Sequence, residues 1–499
     1  MSLSALSDYL LQHLDRDHVS VPLNRQIYDV MRQAILHGDW AAGLRLPSSR
    51  QLADDVGLAR NTVLHAYQQL LAEGYISTRS GSGSYVSDTL PDQLPARSRA
   101  SAQQPANLGE GISRRGQRVV QDAGISNSPS GAFALGVSDT SAFPQATWAR
   151  LIGRRWRYSP PELLKYAHDG GYLPLRQALA DHLRLARSVN CTPEQIVITT
   201  SIQQSIGLIA QMLADVGDKV WVEEPGYRAA RNLLRASGLQ PVPIAVDEEG
   251  LAPQTEEMRE APRLIYVTPS HQFPLGMVMS LARRRMLLEY AHQRNAWILE
   301  DDYDSEFRFE GRRLASLQGL DEHGRVVYMG SLSKSLFPGV RTGYVVLPTA
   351  VQRDCAAGFA ELYRDGQLIQ QAALADFLTE GHYATHIRRV RQRYAEKQAV
   401  LREAIVRRFG PEWPISTHEA GLHLVMHLPA QGGHSFDDCV IGERAAAQGI
   451  VTRPLSRHYL RPDRMAQGLL LGYADVELQQ IRPAFDKLAR TIERHGKSH

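Results

Sequence analysis

The chain has 499 residues, 43% of them hydrophobic and 22% charged, with a formal net charge of +3 at pH 7. That length allows two or three domains with real cores, and no apolar run approaches the ~18 residues of a membrane-spanning helix. A charge so near balance names no partner, while Cys191, Cys355 and Cys439 stand far apart without a CxxC pair, which argues against a disulfide framework or a zinc site.

The first twenty residues, "MSLSALSDYLLQHLDRDHVS", carry acids and no basic stretch ahead of an apolar run. They do not read as a secretion signal, and a reducing cytoplasm with no membrane partner is the expected setting. Leu23, Ile27, Met31 and Ile35 follow at helical spacing, and the helix is expected to stop near Gly38. After Pro47, Ser48 and Gln51 form an S-x-x-Q capping pattern ahead of Leu52 and Val56, and Gly57 turns the chain. Val63, Ala66, Tyr67, Leu70 and Leu71 mark a third helix ending at Gly74. "YISTRSGSGSYV" then reads as a β-hairpin around a glycine-serine tip.

This order of helices and hairpin is that of a winged helix-turn-helix. Bulk charge does not support DNA binding, since residues 1–90 hold seven arginines against nine acids. Placement does. Arg50, Arg60 and Arg79 fall at the starts of the second and third helices and in the hairpin. A recognition helix meets base edges with its N-terminal residues, here Arg60, Asn61 and Thr62. Arginine matches guanine, and Gly81 and Gly83 allow a wing backbone to come close to a duplex.

Residues 89–130 are rich in Ser, Pro, Gln, Ala and Arg without apolar periodicity, and read as a flexible linker. The expected domains are therefore 20–88, this linker, and 131–499. In the last of these, strand-like runs alternate with helical ones. "QIVITT", "KVWVEEP" and "RLIYVTPS" each precede an amphipathic segment, and "AWILEDDYD" and "RVVYMGSLSK" follow. That alternation predicts an open, mostly parallel α/β sheet with its ligand site beyond the carboxyl ends of the strands.

At two of those ends stand Asp301 and Lys334. The chain has 56 basic residues, only six of them lysine, and one lies among the hydroxyls of "GSLSKSLFPGVRTGY". A lysine can lose its proton and form a Schiff base, which a guanidinium cannot. A carboxylate can hold a protonated pyridine nitrogen, and a fixed arginine can clamp a phosphate. The set fits pyridoxal phosphate, with Lys334 as its covalent attachment.

Two resemblances extend this reading. "GLRLPSSRQLADDVGLARNTVLHAYQQLLAEGYISTRSGSGSYV" resembles the DNA-binding domain of the GntR family, which implies a dimer on a repeated or palindromic operator. Residues from about 160 to 480 resemble the fold-type I aminotransferases through "YAHDGGYLPLRQALADHL", "ITTSIQQS", "VEEPGY", "YVTPSHQFPLG", "EDDYDSEF" and "SLSKSLFPGVRTGY". That resemblance implies phosphate contacts at Ser201, Ile202, Gln203, Ser331, Ser333 and Arg341. It implies Tyr227 stacked on the ring, Asp301 at its nitrogen, Tyr303 at its oxygen and Lys334 at the aldimine.

There are departures. Phe273 stands where the family usually has an Asn bonded to the ring oxygen, so that either His271 or Gln272 replaces it or the contact is missing. Ser201 stands where a glycine is common. Arg453 is the candidate for an effector carboxylate, with Arg457 and Arg461 as rivals.

A GntR-type reader joined to an aminotransferase-like domain is the layout of the MocR subfamily of bacterial transcription regulators. It implies a cytoplasmic homodimer, nucleoid-associated when bound to operator DNA. An amine or amino acid, or pyridoxal phosphate itself, is then sensed through aldimine chemistry with little or no transamination turnover. The competing expectation is a working aminotransferase with an appended DNA-binding module.

Overall fold

The computed structural model describes residues 3–15, 21–79, 82–88, 111–122, 131–166, 170–309, 315–364, 366–416, 420–429 and 436–496. The chain divides into two compact units, 1–110 and 111–499.

In the first unit, helices Leu3–His13, Leu23–His37, Ser49–Val56 and Arg60–Ala72 precede an antiparallel hairpin of β1 (Ile76–Arg79) and β2 (Gly83–Val86). Gly38 closes the second helix in the left-handed region at φ 83°, its N–H donating to the Ile35 carbonyl. Ser48 Oγ accepts from the Gln51 N–H at 3.1 Å. Only this half of the expected capping box is present among the described bonds.

Ile27, Met31, Ile35, Leu52, Val56, Val63 and Leu70 close over one core. The first helix has no counterpart in the sequence reading. It adds Leu6 and Leu10 to that core, and Ser7 Oγ donates to Asp55 at 2.8 Å. Arg50, Arg60, Asn61 and Arg79 are exposed, and no described side-chain hydrogen bond or ion pair holds the two arginines that begin helices. Arg79 lies 4.7 Å over the Tyr85 ring, which braces the wing. Gly83 sits at φ 114°, a conformation that suits glycine. Gly81 lies outside the described residues.

The second unit begins with a helix, Arg114–Asp122, inside the segment read as linker. Residues 89–110 and 123–130 of that segment lie outside the described residues. The central sheet contains β3 (Ile196–Thr199), β4 (Lys219–Glu224), β5 (Gln240–Asp247), β6 (Gly250–Leu251), β7 (Leu264–Val267), β8 (Trp297–Asp302), β9 (Val326–Ser331) and β10 (Gly343–Val346). Their order is β3-β10-β9-β8-β7-β4-β5-β6. The run from β5 through β4, β7 and β8 to β9 is parallel, and β10 is antiparallel to both its neighbours.

Alternation along each strand divides the core in two. Val220, Val222, Leu264, Tyr266 and Leu299 pack with Ile206, Ile209 and Leu234 on one face. Trp221, Ile265, Val267 and Ile298 pack with Leu287, Leu288 and Ala291 on the other. Being covered on both sides makes these strands near-continuous apolar runs. β5, β6 and β10 escaped the sequence reading: β5 is half-buried and interrupted by Pro241 and Pro243, β6 has two residues, and β10 follows directly on the lysine motif.

The long helix His382–Phe409 leads to a smaller antiparallel sheet ordered β11 (His423–His427), β13 (Gly468–Gly472) and β12 (Arg453–Pro454). Helix Leu478–Gly496 packs along the long helix, and Phe485, Leu488 and Ile492 enter the core shared with β11 and β13.

Because Ser48 satisfies a helix-terminal N–H and Gln51 returns no described bond, the two positions are unequal. Ser48→Ala should cost about 1 kcal/mol, and Gln51→Ala much less. Hydrogen exchange across residues 49–72 in the full chain checks this.

Candidate functional site

The parallel strands deliver their distinctive residues to one edge. β8 ends in Glu300, Asp301 and Asp302, all buried. Successive side chains leave opposite faces of a strand, so the adjacent acids meet different partners. Asp302 pairs with the buried Arg187 guanidinium at 2.7 Å and accepts from Tyr328 Oη at 2.5 Å. Glu300 accepts the Leu317 and Gln318 N–H groups, each at 2.8 Å.

Asp301 is different. Tyr266 donates to its Oδ2, while its Oδ1 is buried with no described hydrogen-bond partner. Burial pushes the Asp301 carboxyl up to about 7, with Asp302 and Asp304 adding to the rise and the Tyr266 bond and Lys334 opposing it. Burial likewise lifts Glu223 and Glu300 to about 7. Acid is thus concentrated at this end of the sheet, where Asp301 Oδ1 and Glu224 Oε2 are buried without a described hydrogen-bond partner.

Lys334 lies just past β9 in the short helix Leu332–Ser335. Its Nζ donates to the Gly136 carbonyl at 2.5 Å. Burial lowers its pKa, the Arg453 charge lowers it further, and Asp304 and Asp301 oppose. Gly136 is a site residue that sequence reasoning missed. It sits at φ 76°, and a Cβ there would lie 2.6 Å from Lys334 Nζ. The missing side chain is what gives the lysine room.

Three segments carry the residues expected to meet a phosphate. Ser201 caps helix Ile202–Leu213, its Oγ accepting from the Gln204 N–H at 3.2 Å, so the first N–H groups of that helix, including those of Ile202 and Gln203, face outward from its positive end. Ser331 Oγ accepts from the Ser333 N–H at 3.2 Å, leaving both hydroxyl protons available. Arg341 is exposed at φ 44°, a left-handed residue.

Tyr227, Phe273, Tyr303 and His458 form one aromatic cluster. Tyr227 meets Phe273 edge-on at 5.4 Å, and Phe273 meets Tyr303 at 5.8 Å and His458 at 5.3 Å. Burial holds the Tyr227 phenol up at about 12. Gln272, one of the two replacements considered for the absent Asn, is fully engaged. Its amide donates to the Pro225 and Phe273 carbonyls at 2.8 and 2.7 Å and accepts from the Leu275 N–H at 3.0 Å. His271 Nδ1 instead lies 3.0 Å from Tyr303 Oη and 2.8 Å from Asp304 Oδ2.

The three arginines of the 453–461 loop also separate. Arg457 donates to Cys439 Sγ at 3.4 Å, and Arg461 approaches Glu257 at 3.6 Å and the Pro243 carbonyl at 3.4 Å. Arg453 has no such tether among the described contacts, and its charge bears on Lys334, Tyr227 and His458.

A separate cavity of about 460 Å³ lies between helices Leu173–Arg187 and His382–Phe409. It backs onto His271 and Asp304 and is not the space beside Lys334.

Two family profiles match the chain. "Aminotransferase class I and II" matches residues 135–462, and "Bacterial regulatory proteins, gntR family" matches residues 23–86. Among curated proteins, the chain is 41% identical to the probable rhizopine catabolism regulatory protein MocR of Rhizobium meliloti, covering 95% of this chain and 94% of that one. It is 30% identical to the HTH-type transcriptional regulator TauR of Rhodobacter capsulatus, over 94% and 96% of the two chains. It is 28% identical to the pyridoxine biosynthesis transcriptional regulator PdxR of Corynebacterium glutamicum, over 93% and 95%. Among solved structures, LysN, the alpha-aminoadipate aminotransferase of Thermus thermophilus, superposes with a TM-score of 0.69 at 26% identity, covering 79% of this chain and all of that one.

The Asp301 carboxyl also sets a pH dependence. Its folded value of about 7 lies above the ordinary 3.8, so its contribution to stability is present in acid and is lost as the pH rises through about 7. Asp301→Asn should therefore melt at a higher temperature than the cofactor-free wild type at pH 8, and at the same temperature near pH 4. Thermal melts at the two pH values check this.

Proposed function

Because this chain belongs to the MocR-type transcription regulators, with a gntR-family module followed by an aminotransferase class I and II domain, we propose that it is a pyridoxal phosphate-dependent regulator that binds operator DNA and senses an amine or amino acid, or the cofactor itself. The observation that carries this reading is the buried, unpartnered Asp301 Oδ1 in the same site as Lys334. A buried acceptor of that kind fits a cofactor that brings its own N–H, as a protonated pyridine ring does.

The residues fit the rest of the group. Lys334 attaches it, Asp301 holds the ring nitrogen, Tyr303 faces the ring oxygen and Tyr227 covers the ring. Ser201, Ser331, Ser333, Arg341 and the Ile202 and Gln203 N–H groups take the phosphate. When bound, pyridoxal phosphate supplies an electrophilic carbon at which one amine can replace another. The chain's own part is to lower the proton affinity of Lys334 by burial and by the nearby Arg453 charge, so that its amine is available as a nucleophile. Arg453 offers a bidentate partner for an effector carboxylate.

In the first unit, Arg60, Asn61 and Thr62 begin the helix that meets base edges, Arg50 and Arg79 meet phosphates, and Gly81 and Gly83 form the wing's approach. A second copy of the chain completes the assembly. Trp156, Tyr158, Leu164 and Tyr166 are between 62% and 77% exposed, more aromatic surface than an isolated stretch of a monomer ordinarily leaves in water. Among the described residues no helix is long and apolar enough to cross a membrane, and a cytoplasmic site of action suits a DNA-binding protein.

Two measurements test this. Borohydride reduction followed by peptide mass spectrometry should place the cofactor on Lys334, and Lys334→Ala should trap none; an adduct on another lysine overturns the assignment. Arg60→Ala should cost about 1–3 kcal/mol of operator affinity and relax base preference at one position, whereas Arg50→Ala should weaken all sequences alike and flatten the salt dependence. Sustained transamination at a rate on the order of 10 per second would favour the enzyme reading instead.

A further inference from the structure

His271 Nδ1 is a single atom with two oxygen neighbours, Asp304 Oδ2 at 2.8 Å and Tyr303 Oη at 3.0 Å. An ionised carboxylate only accepts hydrogen bonds. Burial raises the Asp304 pKa, and the His271 charge and bond lower it; with Asp304 ionised, the Nδ1 atom carries the proton and Tyr303 meets it as a second acceptor. A Tyr303 oxygen that accepts from His271 keeps its own phenolic proton free to point elsewhere. In the opposite tautomer Tyr303 would spend that proton on His271.

The arrangement is packed to stay as it is. His271 is 6% exposed and Asp304 2%. Gly421 lies against both, and a Cβ there would come within 2.4 Å of His271 Cε1 and 2.8 Å of Asp304 Oδ2. Tyr473 Oη donates to the Gly421 carbonyl at 2.7 Å and holds that backbone in place. Burial, with the Asp304 and Asp301 charges, raises the Tyr303 phenol well above its ordinary value, so it remains a donor at neutral pH.

We infer that Asp304 and His271 are positioning residues that aim the Tyr303 proton at the ring oxygen of the cofactor, replacing the Asn that Phe273 displaces from this loop. The inference rests on the pyridoxal phosphate reading above. Phe273 removes one polar neighbour of the ring oxygen, and Gln272 is committed to backbone groups. Tyr303 is the donor this proposal assigns to that side, and His271, held by Asp304, sets its direction. A directed donor stabilises negative charge on the ring oxygen and so lowers the pH at which the lysine-linked nitrogen gives up its proton.

The test is a pH titration of the visible absorbance of pyridoxal phosphate bound to the full-length chain. Borohydride trapping at Lys334 is run on every variant, and far-ultraviolet dichroism monitors folding. Tyr303→Phe should move the midpoint up by about one pH unit or more, a tenfold change in proton affinity. Asp304→Ala and His271→Phe should each move it in the same direction, and either one combined with Tyr303→Phe should add nothing further. Gly421→Ala keeps every polar group but displaces the pair, and should shift the midpoint too, which preserves the test if the buried acid proves essential for folding. The other titratable groups facing the pair, Asp301, Asp302, Lys334 and His423, are unchanged throughout.

If Tyr303→Phe shifts the midpoint while Asp304→Ala, His271→Phe and Gly421→Ala leave it at the wild-type value, the relay is wrong and the cofactor reading stands. If the wild type shows no trapped cofactor at all, both fail together.

Discussion

A buried carboxylate oxygen without a hydrogen-bond partner destabilises a fold, and the second unit places one at the end of β8. The strand's alternation sends Asp302 to Arg187 and Tyr328, and the loop around residue 317 satisfies Glu300. Among the described residues Asp301 receives one hydrogen bond, from the Tyr266 hydroxyl. Gly136 lies against Lys334, and helix Ile202–Leu213 presents its positive end at the close of β3. A site that costs stability until something fills it is a natural place to register whether that something is present.

The two units divide the labour in the way a regulator requires. The first exposes arginines at helix starts and on a braced wing, and builds its own core from Leu6 to Val86. The second matches the aminotransferase class I and II family over residues 135–462 and carries an eight-stranded, largely parallel sheet. Any influence of a ligand at Lys334 on a base contact at Arg60 is a coupling between distinct sites, and must act equally in both directions. A dimer supplies a simple means, because a small rotation between copies alters the spacing of two recognition helices against a fixed operator.

Much of this was legible in the sequence, for physical reasons that can be named. Helix ends were readable because glycine marks them, as Gly38 and Gly57 do in the left-handed region. The strands that end in the site were readable because burial on both faces forces continuous apolar runs. Lys334 stood out because lysine is rare here and only lysine fits the chemistry.

What stayed hidden was whatever depended on partners distant in the chain. Leu3–His13 is a short helix whose apolar residues find their core only after folding. Arg114–Asp122 is polar enough to pass for linker. The role of Gly136 rests on an approach across nearly two hundred residues. Arg453, Arg457 and Arg461 look alike in sequence and differ only in where Cys439, Glu257 and Lys334 happen to lie. The pairing of His271 with Asp304 could not be foreseen from either motif alone.

The central claim is that chemistry at Lys334 governs DNA binding by the first unit. It is tested most directly by the affinity of the full-length chain for DNA fragments it has itself selected. The comparison is made with and without pyridoxal phosphate and a panel of amines and amino acids, for wild type and Lys334→Ala. The account predicts that one of these ligands changes wild-type affinity by about 5- to 150-fold, and that Lys334→Ala abolishes the change while still binding DNA. A ligand that alters the bound cofactor's absorbance yet leaves operator affinity, DNA bending and transcription untouched would contradict it.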